Sequence, residues 1–320
     1  MQPIIDRMHL LIPYASALSD AAPHVLRDLP LPNLTQLLAR LSLAHDDAGD
    51  AYTLSPPHER ALAAAAGWNG ADGCLPFAAQ AAAGDGIAVG ELAWGLVTPV
   101  HWHVGRDHVT LVDPAALNLT EAESRAAFDA ARALFETEGF RFEWGSVSRW
   151  YAAHESLAGL PCASLDRVIG RNVALWMQPG ANPNPATRLI RRLQSEVQLL
   201  LYPHPLNDDR EQRGELTLNS FWLSGCGRFQ PTRGDMVLVN DALRAPLFAE
   251  DWVEWAQTWR ALDAGDVAEA LQTARAGRPV ALTLCGERRA PRYETAPRSL
   301  WRTLARRWNT PEPHRLLETL

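Results

Sequence analysis

The spacing of apolar residues along this chain changes several times, and each change marks an element. Residues 8–14, MHLLIPY, are mostly apolar and predict a buried first strand ended by Pro13. Leu34, Leu37, Leu38 and Leu41 recur at helical spacing and predict an amphipathic helix over 31–43. The following loop, 45–50, carries one histidine and three acids, a composition that suits a solvated surface loop. Ser55-Pro56-Pro57 opens another helix, with Ser55 as N-cap, and Gly67 closes it. Residues 88–114 read as β-structure: a run through Trp94 and Val100, then HWHV, a turn at 105–107, and HVTLVD. Thr120 and Glu123 form a capping box ahead of a helix whose apolar face is Phe128, Ala131, Leu134 and Phe135. Residues 140–150 alternate aromatic and polar positions and predict one strand. GANPNP at 180–185 reads as a linker.

A long amphipathic helix follows from Ala186, with Leu189, Ile190, Leu193, Val197 and Leu200 on one face. It runs into the most polar stretch between apolar elements, 194–227. Pro203 predicts a turn, and His204, Asn207, Asp208, Asp209 and Arg210 follow as a polar cluster. Arg213-Gly214 makes a corner, Asn219 starts a strand, and Gly225-Cys226-Gly227 reads as a loop. Hydrogen-bonding side chains this dense are costly between buried elements unless they bind something or fix a loop. Beyond it, 234–241 predicts a central strand ending in Asn240-Asp241, Trp252, Trp255 and Trp259 lie at helical spacing, and PVALTLC at 279–285 predicts the last strand. Residues 298–308 form an amphipathic stretch with Leu300, Trp301, Leu304 and Trp308 on one side.

Composition narrows the function classes. The 320 residues suffice for one large domain or two ordinary ones. A net charge of −7 gives nucleic acid no electrostatic attraction. All 30 basic residues are arginine, which excludes a Schiff-base lysine, a Walker-type phosphate loop and a serine–lysine dyad on this chain. From residue 275 onward ten arginines face four glutamates, so a Trp/Arg-rich C-terminal region is a candidate surface for a protein partner. Cys74, Cys162, Cys226 and Cys285 form no Cys-x-x-Cys pair, arguing against a zinc ribbon or a disulfide scaffold. The first residues carry Asp6, Arg7 and His9 where a secretory segment needs an apolar run, and no stretch is apolar enough to cross a bilayer, so a cytoplasmic location is expected.

Candidate chemistry is spread along the chain. At the carboxyl end of the first strand, where ligands bind in open α/β sheets, stand Tyr14, Ser16 and Ser19, with no carboxylate before Asp20. Ser55 at a helix start could be a nucleophile toward phosphate. His101 and His103, two apart on a strand, with His108 on the return strand, could hold zinc. His204, Asn207, Arg210, Arg213 and Asn219 could bind a small anion or brace the loop through backbone hydrogen bonds.

The stretch 204–227 resembles a signature of the archaeal-type cofactor-independent phosphoglycerate mutases of the alkaline phosphatase superfamily. His204, Pro205, Asn207, Arg210, Gly214, Asn219, Trp222, Gly225 and Gly227 match in register. Leu31-Pro32-Asn33-Leu34 is similar to the superfamily's Pro-Asn-Leu helix start, and the segment from Ser55 sits where that family has its nucleophile. Among bacterial groups, the chain resembles the RpfE-type regulatory proteins. The resemblance implies an α/β fold: an alkaline-phosphatase-like, largely parallel sheet flanked by helices, formed by 1–84 and 186–320, with an inserted α+β domain at 85–185. It also implies two divalent metals, such as manganese or zinc, held by Asp and His. Here the first strand ends in Leu11-Ile12-Pro13-Tyr14, and the loop after the last strand holds Arg288 and Arg289 where the family has an Asp-x-x-x-His pair. The leading expectation is therefore a degenerate, metal-free relative with a regulatory or small-anion-binding role, its ligand also touching Arg288 and Arg289. The alternatives are a working phosphoryl-transfer enzyme with Ser55 as nucleophile and metal ligands drawn from Asp241, His204 or the three histidines, and a protein-interaction module using the C-terminal region.

Overall fold

The computed structural model describes residues 7–177, 184–234, 236–295 and 312–320. Most of the expected linker and the amphipathic stretch 298–308 lie outside the described residues. The strands are β1 Met8–Ile12, β2 Leu41–Ala48, β3 Ala93–Val100, β4 Trp102–Val104, β5 Val109–Leu111, β6 Arg141–Ser146, β7 Arg149–Ala153, β8 Ser220–Arg228, β9 Val237–Val239, β10 Val280–Leu284 and β11 Arg289–Thr295. The helices are α1 Ala22–Arg27, α2 Pro32–Leu38, α3 Pro57–Ala66, α4 Phe77–Gly84, α5 Glu121–Thr137, α6 Leu165–Val168, α7 Pro185–Leu201, α8 Pro205–Gln212, α9 Arg244–Phe248, α10 Trp252–Leu262, α11 Ala268–Arg275 and α12 Pro313–Glu318. The chain divides into two compact units: Met1–Tyr52 with Pro56–Gly67 and Thr232–Leu320, and Thr53–Ser55 with Trp68–Pro231. The boundaries expected at 84/85 and 185/186 both fall inside the second unit.

The first unit is built on a five-stranded sheet in the order β2-β11-β10-β1-β9. β1 runs parallel to β10 and β9, while β10–β11 and β11–β2 are antiparallel, so the α/β class holds and the sheet is mixed. β1 and β10 are almost wholly apolar and lie in the middle, buried on both faces. Trp255 and Trp259 of α10 are fully buried against this core, as their spacing predicted. α2 has no cap from its own flanking residues. Asp263, in a single π-turn between α10 and α11, caps it from a distance, accepting from Asn33 N at 3.1 Å and Leu34 N at 2.7 Å.

Several expectations for this unit are corrected. The helix expected over 31–43 stops at Leu38, and the acidic "loop" at 45–50 belongs largely to β2, an edge strand whose side chains are mostly exposed. β9 is an edge strand with two exposed residues, not a central one. β10 is not last: β11 follows, and Pro291 lies where β11 pairs with β2 but β10 pairing has ended, so its missing N–H costs no bond on that side. The described end of the C-terminal region is packed in the core: Leu317 and Leu320 are buried, and Arg288 N and Arg289 N donate to Leu320 O at 3.0 and 3.1 Å.

The second unit carries the antiparallel sheet β6-β7-β3-β8 and a two-stranded ribbon, β4–β5. Alternation along its strands feeds two cores. Ala93, Val97, Phe142, Trp150 and Ala152 meet α5 and α7, whereas Trp94, Tyr151 and Ala153 meet α4. α5 begins with the capping box read from Thr120 and Glu123. The strand expected over 140–150 is a hairpin, β6 and β7, turning at Val147-Ser148. Pro205 opens α8 in what was expected to be a loop, and Gly225 and Gly227 lie inside the nine-residue β8. Gly225 is required there: φ is +62°, and a Cβ would stand 2.9 Å from Ala78 N at the start of α4.

Candidate functional site

The polar segment 204–219 folds around its own backbone. His204 caps α8, its Nδ1 accepting from Leu206 N at 3.2 Å. Asn207, buried on the inner side of α8, donates from Nδ2 to Leu201 O and Leu218 O, both at 2.8 Å, and accepts from Leu218 N at 2.8 Å. It thereby ties the end of α7 to the strand that becomes β8. Arg210 is fully buried, with Nε donating to Leu216 O at 2.7 Å and Nη2 to Leu117 O. Asn219 pairs with Trp102 in both directions, accepting from its N at 2.7 Å and donating to its O at 3.0 Å. These are the bonds of a brace.

The charge of Arg210 is met by Glu123, 3.0 Å from Nη1, and Glu215, 3.4 Å away. Arg213 also pairs with both carboxylates. Glu123 therefore has two tasks: it completes the α5 capping box and it neutralises a buried guanidinium. Burial pushes its carboxyl up, but hydrogen bonds from Thr120 and the charge of Arg210 outweigh this and hold it below the ordinary range. A second carboxylate hub in this unit is Asp85, which accepts from Arg149 Nη2 at 2.8 Å and Tyr151 Oη at 2.7 Å. The Arg149 hydrogen bond is the main cause of its lowered pKa.

The remaining sequence candidates do not converge. His101 turns its Nδ1 to Thr217 O at 2.8 Å, and its ring centre is 6.4 Å from that of His103. His103 is paired opposite Thr110, and His108 lies in the exposed turn before β5. Among the described residues no three His, Cys, Asp or Glu side chains are grouped to hold an ion. Asp241 is exposed and belongs to the first unit, whereas the three histidines belong to the second. Ser55 does not cap α3, whose N-cap is Pro56. Its buried Oγ accepts from Gly73 N at 2.9 Å, and its own N donates to Asp72. Arg289 is paired with Asp46, which raises its pKa, and Arg288 is exposed.

The carboxyl end of β1 is built differently. Tyr14 has φ +57°, a conformation that a bulky residue adopts only under constraint. Its ring centre lies 4.9 Å from His58 at the start of α3 and 5.8 Å from Phe248 at the end of α9. The loops after β1 and β10 are stitched together by Ala15 N donating to Cys285 O at 2.8 Å and Leu18 N to Glu287 Oε1 at 2.9 Å. Nearby, Arg60 Nε donates to Asp47 at 2.8 Å, and Asn240 Nδ2 donates to Asp266 at 2.7 Å. The carboxylates here, Asp47, Asp266 and Glu287, are each already hydrogen-bonded, and among the described residues no three His, Cys, Asp or Glu are grouped to hold an ion, so the donor set does not fit two divalent ions. Sequence pointed to Tyr14 by position, but His58, Phe248 and the left-handed backbone were invisible to it. His58 carries only the signal of following Pro-Pro at a helix start.

No protein-family model matches the chain, and no curated protein matches it. Solved structures resemble it over most of its length, two of them from archaeal sources. The cofactor-independent phosphoglycerate mutase from Thermoplasma acidophilum DSM 1728 is 14% identical, covering 90% of this chain and 89% of that one, with a TM-score of 0.37. The PH0037 protein from Pyrococcus horikoshii is also 14% identical, covering 92% of this chain and 88% of its own, with a TM-score of 0.47. No helix among the described residues is long and apolar enough to cross a membrane. At this level of likeness, the activity has to be read from the chain's own residues.

Proposed function

We propose that this chain is a small-anion-binding protein with a regulatory role: a diverged relative of the cofactor-independent phosphoglycerate mutases, similar to the RpfE-type group, that no longer transfers phosphoryl groups. The observation that carries this reading is the end of β1, where a constrained Tyr14 packs on His58 and Phe248 in place of a carboxylate. Open α/β sheets bind ligands at the carboxyl ends of their parallel strands, and β9, β1 and β10 all end here. Imidazole, phenol and the exposed Arg288 guanidinium recognise a phosphate or carboxylate by hydrogen bonding and charge. Neither the nucleophile nor the metal chemistry of phosphoryl transfer is needed for that.

The test is a titration of the full chain with inorganic phosphate and with 3-phosphoglycerate, followed by calorimetry and by the melting temperature. Saturable binding that His58→Ala and Arg288→Ala weaken at least tenfold supports the reading. Phosphoglycerate mutase turnover in the presence of Mn²⁺, abolished by Ser55→Ala, would overturn it and establish an enzyme instead.

A further inference from the structure

The four cysteines looked unrelated along the chain, yet the fold gathers three of them in the second unit. Cys162 Sγ and Cys226 Sγ are 3.6 Å apart, within hydrogen-bonding range for thiols. Burial pushes the Cys74 thiol up and nearby Cys162 adds to this, while Cys285 belongs to a separate cluster in the first unit. We propose that Cys162 and Cys226 form a reversible thiol oxidation site: Cys162 reacts with a small hydroperoxide, and Cys226 resolves the product as an intramolecular disulfide.

The two thiols are placed for different tasks. Cys226 is fully buried in β8, among the apolar residues of the larger core. Gly95 on the neighbouring strand leaves it room, since a Cβ there would stand 3.2 Å from its sulfur. Cys162 is partly exposed, in the loop between Leu157 and α6, and it lines a cavity of about 50 Å³ with Pro161, Trp176, Arg191, Gln194 and Trp222. A water needs roughly 10–15 Å³ of such space, so a molecule the size of hydrogen peroxide fits. The hydrogen bond to Cys162, together with burial, pushes the Cys226 thiol up, so Cys226 keeps its proton and Cys162 is the one with access to oxidant.

The chemistry balances without any further reactant. The Cys162 thiolate attacks one peroxide oxygen, an S–O bond forms, the O–O bond breaks, and the alcohol or water leaves with a proton. Cys226 sulfur then attacks the Cys162 sulfenic acid, an S–S bond forms, and the S–O bond breaks. The departing hydroxide takes the Cys226 proton and leaves as water. Closing 3.6 Å to a disulfide length requires a movement of about 1.5 Å. The Cys162 backbone is anchored by its N donating to Gly73 O at 2.9 Å, so the movement has to come from side-chain rotation of the two cysteines. Oxidation would pin this loop to β8 at the mouth of the cavity.

The experiment treats the fully reduced, full-length protein with one equivalent of hydrogen peroxide, counts thiols by alkylation after denaturation, and maps peptides without reduction. The expected result is a fall from four free thiols to two, a cross-link joining residues 162 and 226, and recovery of all four with dithiothreitol. In Cys226→Ser, dimedone should trap a sulfenic acid on Cys162 and no cross-link should form. A cross-link between Cys74 and Cys162, a link between two molecules, or four unchanged thiols in the wild type would each overturn the proposal. The wild-type map decides the matter even if the variant fails to fold.

Discussion

The hydrogen bonds of Asn207, and those of Arg210 through Nε and Nη2, end on backbone amides and carbonyls. At the carboxyl end of β1, the rings of His58 and Phe248 pack on Tyr14. In the first region every bond of Asn207 and the Nε and Nη2 bonds of Arg210 secure a chain reversal between α7 and β8. In the second, Tyr14, His58 and Phe248 touch through ring faces and edges on a constrained backbone. Side chains spent on backbone groups are unavailable to a ligand, because a buried carbonyl left without its donor costs about as much as a ligand would return. Ring contacts can be exchanged for a ligand at lower cost. The more conspicuous polar motif is thus the brace, and the quieter cluster is the site proposed for a ligand.

Arg210→Met is the most forceful way to break this contrast. It orphans Leu216 O and Leu117 O and strips Glu123 of its main buried partner. Removing one member of a buried charged network costs about 3–5 kcal/mol. Urea denaturation should show a loss of that size, with ligand binding to the surviving folded fraction unchanged. A variant of wild-type stability that no longer binds would reverse the roles assigned to the two regions.

Asn207→Ala ranks next. It leaves Leu201 O, Leu218 O and Leu218 N without their side-chain partner, for an expected loss of about 2–3 kcal/mol. Asn207→Asp is the sharper version. It keeps the acceptor for Leu218 N but sets a carboxylate against two carbonyls, so it should be no more stable than the alanine variant. Equal stability of Asp and Asn would mean that the carbonyls are not where the amide's energy is found.

The reason sequence analysis singled out 204–219 is also the reason it misread the local structure. α8 buries Leu206, Asn207 and Arg210, so two polar residues occupy the face where a helical period would show apolar ones. β2 exposes most of its side chains and offered no alternation, and a strand secured mainly by its pairing with β11 leaves little trace in composition. The glycines of β8 looked like loop formers, but Gly225 is there because α4 approaches the strand too closely for a side chain. By contrast, the buried strands β1 and β10, the Thr120 capping box and the buried tryptophans of α10 were legible, since each depends on one local, periodic signal. Tyr14, His58 and Phe248 come from three separate segments, and no window of sequence contains their meeting.

Acid should destabilise the second unit through its two carboxylate hubs, Glu123 and Asp85. Glu123 and Asp85 are both held below their ordinary carboxylate values in the folded protein. A depressed folded pKa gives stability that is present in full above the unfolded value and is lost as pH falls through the folded one. Melting temperature should therefore hold from pH 7 to about 5 and fall below roughly 4.5, the region of unfolded Glu and Asp. Glu123→Gln should be less stable at pH 7 and show a shallower drop in acid. A parallel drop in both proteins would assign the acid response to other carboxylates.

His58→Ala is the gentlest change and the one that separates the regions most cleanly. His58 is only half-buried and lies on the first turn of α3, and its ring meets Tyr14 at an interplanar angle of 47°. Partly exposed side chains of this kind cost little on truncation, about 0.5–1 kcal/mol. The melting temperature of the free protein should move by a degree or two, while the increase produced by saturating phosphate or 3-phosphoglycerate should disappear. A histidine that stabilised the first unit as Asn207 stabilises the second would lower the baseline instead and leave the ligand-induced increase intact. That pattern would make the end of β1 a second brace, and the search for a ligand would have to leave the strand ends altogether.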